Sequence, residues 1–264
     1  MIWTLYKLEL FKMVKNLATW ITFLAFLVII LFMFGTYYYN SITHQSVYFG
    51  FPDSWSRVLT DGAFLADVFS AVLISLLIAS EFDWRTSRQN VIDGLSRGQW
   101  FISKLLLLPT IAIFFYGSEL ILAGTLAWLG TDPAIENAYA VSRVQVLCIA
   151  GVFTGVLCYA SLALLIAVIT RSTGPALGFT LIYQVFETLL TRTLRGFKLE
   201  TLADCFPFQV HMALFQYDQF LPAGSAARSK LEIAWDTPAL FAACIGWITF
   251  FVLVSWLVYR IRDL

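Results

Sequence analysis

Val144–Thr170 reads VQVLCIAGVFTGVLCYASLALLIAVIT, 27 residues without a charged side chain. About 20 mainly apolar residues carry a helix across the hydrocarbon core of a bilayer, because each advances about 1.5 Å. The stretch therefore reads as a membrane-spanning helix. Working outward from it, further spans are expected at about Thr19–Tyr38, Ala63–Ser80, Lys104–Leu129, Ala176–Leu190 and Leu240–Tyr259. The fold class is all-α, a polytopic membrane protein of about six transmembrane helices. Composition agrees: 59% of residues are hydrophobic, 13% are charged and the mean hydropathy is +0.78, whereas soluble domains carry about 25% charged residues. Six spans of roughly 20 residues use nearly half the chain. The rest is short loops, so residues 1–264 are expected to form a single transmembrane domain. Net charge is zero, so no basic field points to nucleic acid as a partner; the expected surroundings are lipid.

Residues 1–16 (MIWTLYKLELFKMVKN) are amphipathic at helical spacing. Ile2, Leu5, Tyr6, Glu9 and Met13 share one side, and Lys7, Lys12 and Lys15 punctuate the rest. A Trp-, Leu-, Phe- and Lys-rich helix of this kind lies in the membrane interface. The apolar run behind it is too long for the core of a cleavable signal. Tyr37, Tyr38 and Tyr39 supply an aromatic belt where the first span emerges, ahead of a polar loop holding Asn40, His44, Pro52, Asp53 and Arg57. Residues 191–237 are mixed rather than apolar, and short amphipathic helices such as Thr201–Phe215 are expected there, at or dipping into the outer interface. With the N-terminus inside, Lys7, Lys12, Lys15, Arg85, Arg88, Arg97, Lys104, Arg171, Arg260 and Arg262 are cytoplasmic, ten of seventeen basic residues. Five of the other seven fall in the one long loop, whose charges count least, so both termini are expected in the cytoplasm. Cys148, Cys158, Cys205 and Cys244 form no C-x-x-C pair, and three of them fall in spans; they read as buried apolar thiols.

The connection between the second and third spans, residues 81–103, stands out: EFDWRTSRQNVIDGLSRGQWFIS, followed by Lys104. Thr86 with Gln89, and Ser96 with Gln99, each have capping-box form. Gly94 stands where a left-handed C-cap ends a helix. A short helix over Ser87–Asp93 is therefore expected across the membrane surface, with Ser96 starting the lead into the third span. Asp83, Arg85, Arg88, Asp93 and Arg97 are of both signs, which suits docking on a protein more than on anionic lipid. On local physics alone an ordinary solvated loop remains an equal reading.

The same residues resemble the coupling segment of type-2 ABC exporter permeases. There an acidic residue ends the second span, Gly-Thr and a short helix follow, then P-x-S-R and a Lys that starts the third span. Glu81, Thr86, Ser96, Arg97 and Lys104 match, while Arg85 stands where Gly is common and Gly94 where Pro is common. The resemblance extends over most of the chain. Leu8-Glu9-Leu10-Phe11-Lys12 is similar to the family's amphipathic lead-in helix, Ala167–Gly174 to its turn between spans four and five, and Phe206-Pro207-Phe208 to the L-P-F ahead of its last span. The resemblance implies an exporter permease in the inner or plasma membrane, built as two permease chains, identical or homologous, with two ATPase subunits. It further implies that Glu81, Arg85, Arg88, Asp93 and Arg97 couple to the ATPase. No Gly is followed by Lys anywhere, so the chain has no Walker-type phosphate loop. It is expected to be no enzyme itself and to carry no cofactor, with ATP and Mg on the partner subunit.

Asp67, Glu119 and Glu187 fall inside spans, in the outer half of the expected topology. Acids there are costly and raise a translocation-path hypothesis by default. Structural pairing is the alternative, with Arg192 and Arg195 near enough to serve Glu187. Two other classes fit less well. Glu81-x-x-x-Arg85 has the form of an element of intramembrane proteases, but only His44 and His211 are available and neither lies in a span. A heavy-metal path would want Met or Cys clusters, and the chain has four of each, scattered. A non-ABC carrier or membrane scaffold subunit remains the alternative function.

Overall fold

A computed structural model describes residues 2–43, 48–86, 89, 92, 94–215 and 235–262. These residues form ten helices and no strand: α1 (Ile2–Lys15), α2 (Leu17–Thr43), α3 (Trp55–Thr60), α4 (Ala63–Asp83), α5 (Arg97–Leu129), α6 (Arg143–Thr170), α7 (Thr173–Gly196), α8 (Glu200–Asp204), α9 (Pro207–Phe215) and α10 (Thr237–Ile261). The chain is an all-α polytopic membrane protein. Five helical stretches are long and apolar enough to cross a membrane: α2, α3 with α4, α5, α6 and α10. The sixth expected span is the 24-residue α7, which is long enough but less apolar because Gln184, Glu187, Arg192 and Arg195 interrupt it. Its buried residues Ala176, Thr180, Gln184, Glu187 and Thr191 recur at helical spacing and form an inward polar stripe. Phe179, Ile182, Phe186 and Leu189 on its other side are exposed. Polar side facing protein and apolar side facing outward is the arrangement a bilayer selects.

The ends are set by local chemistry. Ser96 and Gln99 form the expected capping box at the start of α5, and Ser142 with Gln145 forms one at the start of α6. α6 stops at Arg171, which adopts a left-handed φ of 52° and lets α7 begin two residues later. α6 is the hub of the bundle: 72% of its apolar window is buried within the protein, against 28% for α2 and 17% for α10, whose outer faces are left for lipid. The expected outer helix over Thr201–Phe215 is two pieces, α8 and α9. The second is not laid on the surface, for Val210, His211 and Leu214 are buried among α6, α7 and α10.

α1, the end of α4, the start of α5, the α6–α7 turn and the end of α10 lie on one face, the terminal face. Tyr6 Oη, 2.6 Å from Thr110 Oγ1, joins α1 to α5. On α1 the inward residues are Glu9 and Met13, with Leu5 and Tyr6 half-buried, the side expected from the sequence.

Candidate functional site

Glu81, in the last turn of α4, is the centre of the terminal face. Its Oε1 accepts hydrogen bonds from Lys104 Nζ of α5 at 2.5 Å and from Lys12 Nζ of α1 at 3.3 Å. Its Oε2 accepts from Trp100 Nε1 at 2.9 Å. Lys104 also donates to Glu9, and Lys12 donates to the same carboxylate at 3.0 Å. Two carboxylates and two ammonium groups thus interlock three helices. Burial disfavours the ammonium form of Lys12, but Glu81 and Glu9 outweigh it and hold the pKa above the ordinary lysine value. Trp100 stacks on Tyr259 of α10, ring centres 4.5 Å apart. Around this knot Arg97 donates to the carbonyl of Arg260 at 2.7 Å, and Asp83 accepts from the backbone N–H of Thr173 at 2.8 Å. Arg262 donates to the carbonyl of Ile169. The base of the 84–96 connection is therefore tied to α1, α5, α7 and α10.

The described residues of the connection are mostly exposed. Trp84 is 80% exposed and Ile92 70%, and Arg85 is exposed with a left-handed φ of 55°. That conformation costs a residue with a Cβ about 1–2 kcal/mol and suits glycine, which accounts physically for Gly being common at this position of the resembling pattern. Gly94 is left-handed as expected, with φ of 101°. Of the helix expected over Ser87–Asp93, Gln89 and Ile92 are described and helical, while Arg88 and Asp93 lie outside the described residues. The Thr86–Gln89 capping box does not form; the Thr86 hydroxyl donates to the carbonyl of Glu81 instead. Arg97 is half-buried against the end of α10 rather than offered outward.

The intramembrane acids gather about 21 Å from this knot, the rise of the fourteen residues from Asp67 to Glu81. Asp67 Oδ2 lies 2.7 Å from His211 Nε2 of α9, and both side chains are almost wholly buried. Glu187 Oε1 accepts the backbone N–H groups of Phe208 and Gln209 at 2.7 and 3.1 Å. It thus caps α9 from a neighbouring helix, satisfying donors that the first turn cannot pair internally. The pairing of Glu187 with Arg192 or Arg195 is not formed; Arg195 pairs with Asp204 at 2.8 Å instead. Glu119 is fully buried against Gly62, where its carboxylate leaves no room for a Cβ. No basic side chain pairs with it among the described residues. Among the described residues no group of three or more His, Cys, Asp or Glu is arranged to hold a metal ion.

Sequence reasoning missed two sets of residues. In sequence Lys104 marks a span start and Glu9 and Lys12 an interfacial helix, whereas in the fold Lys12 and Lys104 bridge Glu9 and Glu81. The available signal was Glu9 on the otherwise apolar side of α1. His211 falls in no expected span, yet it sits inside the bundle; its place between Val210 and Leu214 on one side of an amphipathic helix is the signal.

The fold defines the class of all-α polytopic membrane proteins, with exposed Trp84 and Arg85 following a helix keyed to its neighbours by buried charge. The sequence model of the ABC-2 family transporter proteins matches residues 5–187, and the chain belongs to that family. It is accordingly a permease component of an ABC transporter. No curated protein matches the chain.

Proposed function

We propose that the chain is the membrane half of an ATP-driven exporter, with both termini cytoplasmic and ATP and Mg bound by a separate ATPase subunit. Two permease chains, identical or homologous, would enclose the path. The observation that carries this reading is the attachment of the exposed 84–96 connection, through Glu81, to a buried charge knot that joins α1, α4 and α5. Closure of an ATPase dimer pressing on Arg85 would move those helices as one body. Arg88 and Asp93 are proposed contacts alongside it, and Arg97 fixes the far end of the connection to α10. The lysine- and arginine-rich terminal face supports a cytoplasmic placement.

The test is affinity recovery of the tagged chain from its native membrane in mild detergent. A soluble subunit bearing Walker motifs is the expected companion; recovery of the chain alone from several detergents would overturn the reading. Arg85→Gly sharpens it, because glycine keeps the left-handed turn while removing the exposed side chain. Recovery of the ATPase is expected to need about tenfold more subunit, the scale of one charged hydrogen bond, with no loss of thermal stability.

The buried acids are proposed to border the substrate path at the opposite face. Glu119→Gln preserves shape, removes a carboxyl set near Asp61 and Asp67, and is expected to leave folding intact while changing transport severalfold. Normal transport by that variant would remove Glu119 from the path.

A further inference from the structure

A cleft of about 630 Å3 opens on the terminal face between α1, the start of α2 and the end of α4. Met13, Leu17 and Leu77 give it apolar walls, and Lys12, Lys15 and Trp84 also line it. Its level is that of lipid headgroups: α1 turns Trp3, Leu8, Phe11 and Val14 outward, and the apolar α2 begins at Leu17. The charge count is unequal. Glu9 and Glu81 are matched by Lys104 and Lys12. Lys15 is left over, with its ammonium 5.6 Å from the Phe11 ring and no carboxylate partner among the described residues. An apolar cleft at headgroup depth with one surplus cation and an exposed indole matches an amphiphile with a negative head. A soluble protein surface has no acyl chain to place against Met13, Leu17 and Leu77.

We propose that this cleft is a binding site for one anionic glycerophospholipid, its phosphate held by Lys15 and an acyl chain lying along Met13, Leu17 and Leu77. The lipid wedges the interfacial helix against the base of the 84–96 connection, so membrane charge sets how firmly α1 follows α4. Trp84, Thr86 and Gln89 of the connection also line the cleft, and lipid binding there rests on its apolar wall and surplus lysine rather than on ATPase docking.

The test uses the full chain, with whatever subunits co-purify, in phosphatidylcholine vesicles containing graded dibrominated phosphatidylglycerol or dibrominated phosphatidylcholine. The fluorescence quenching that disappears in Trp84→Phe reports lipid in the cleft. Half-quenching is expected at about fivefold lower mole fraction of the anionic lipid, the scale of one lysine contact at a membrane surface. Lys15→Gln is expected to abolish that preference without lowering thermal stability, since Lys15 is exposed at the end of α1. Equal quenching by the two lipids overturns the proposal, as does a preference that survives both Lys15→Gln and Lys15→Glu. Shielding of Trp84 from both lipids by a bound soluble subunit also overturns it and assigns the cleft to protein docking.

Discussion

Lys104→Met is expected to lower the stability of the purified chain by about 3–5 kcal/mol, the scale of leaving a buried charge without its partner. Lys104 is 1% exposed and its ammonium donates to both Glu9 and Glu81. Methionine keeps most of the aliphatic stem, so little cavity forms and the loss is mainly electrostatic. Two carboxylates then face each other with Lys12 as the remaining cation, and Lys12 is 47% exposed on a longer contact to Glu81. Lys12→Met should therefore cost far less, under about 1 kcal/mol, because solvent already screens that charge. The double variant Glu81→Gln/Lys104→Met should recover much of the loss: one carboxylate is gone, and the glutamine oxygen still accepts from Trp100 Nε1. The measurement is the temperature at which each variant in mild detergent loses its monodisperse elution. Equal losses for the Lys104 and Lys12 variants would refute the knot as a buried one.

Helix positions were legible in the sequence because a bilayer imposes length and hydropathy on each span independently of the rest of the fold. The uncharged Val144–Thr170 and the observed α6 differ by one residue at the start. Capping residues such as Ser96 and a glycine such as Gly94 act within a turn or two of chain, so the limits of the 84–96 connection were legible as well. α7 is legible as a helix from the sequence, but not that its polar stripe turns inward, since that is settled by the helices it meets. The same holds for the sites. Glu81 could be singled out as the acid ending a span, but its lysine partners are 69 residues earlier and 23 later in the chain, a pairing that only helix packing creates. Glu187 is the clearest case. Nearby arginines on its own helix offered an obvious local partner, yet the carboxylate turns to the unsatisfied N–H groups at the start of α9, which only the return of the chain into the bundle places beside it.

Asp67→Leu is expected to cost about 3–5 kcal/mol, and most of that cost should vanish in the double variant Asp67→Leu/His211→Phe. Asp67 and His211 are 144 residues apart in sequence and meet at 2.7 Å with side chains 0% and 2% exposed. In so dry a place a polar group stripped of its partner keeps its full desolvation penalty. Replacing both groups removes polar atoms and penalty together, as happens when a buried pair gives way to apolar residues. Phenylalanine at 211 keeps a ring near Phe208 and Tyr159, whose ring centres lie 5.0 and 6.5 Å from the imidazole. A double-mutant cycle therefore separates the pair from its surroundings, and a coupling of about 2 kcal/mol or more is expected. Additive losses would mean that each side chain is held by other contacts. The cycle also bears on what fixes α9: its first turn is capped by Glu187 of α7 and its middle is held by Asp67 of α4, so loss of the second contact leaves the first. Asp67→Leu should thus loosen α9 while leaving the spans assembled, read as faster maleimide labelling of buried Cys244, which lies on α10 where α9 packs. Labelling no faster than in the parent chain would show that α6 and α10 hold α9 without help from the pair.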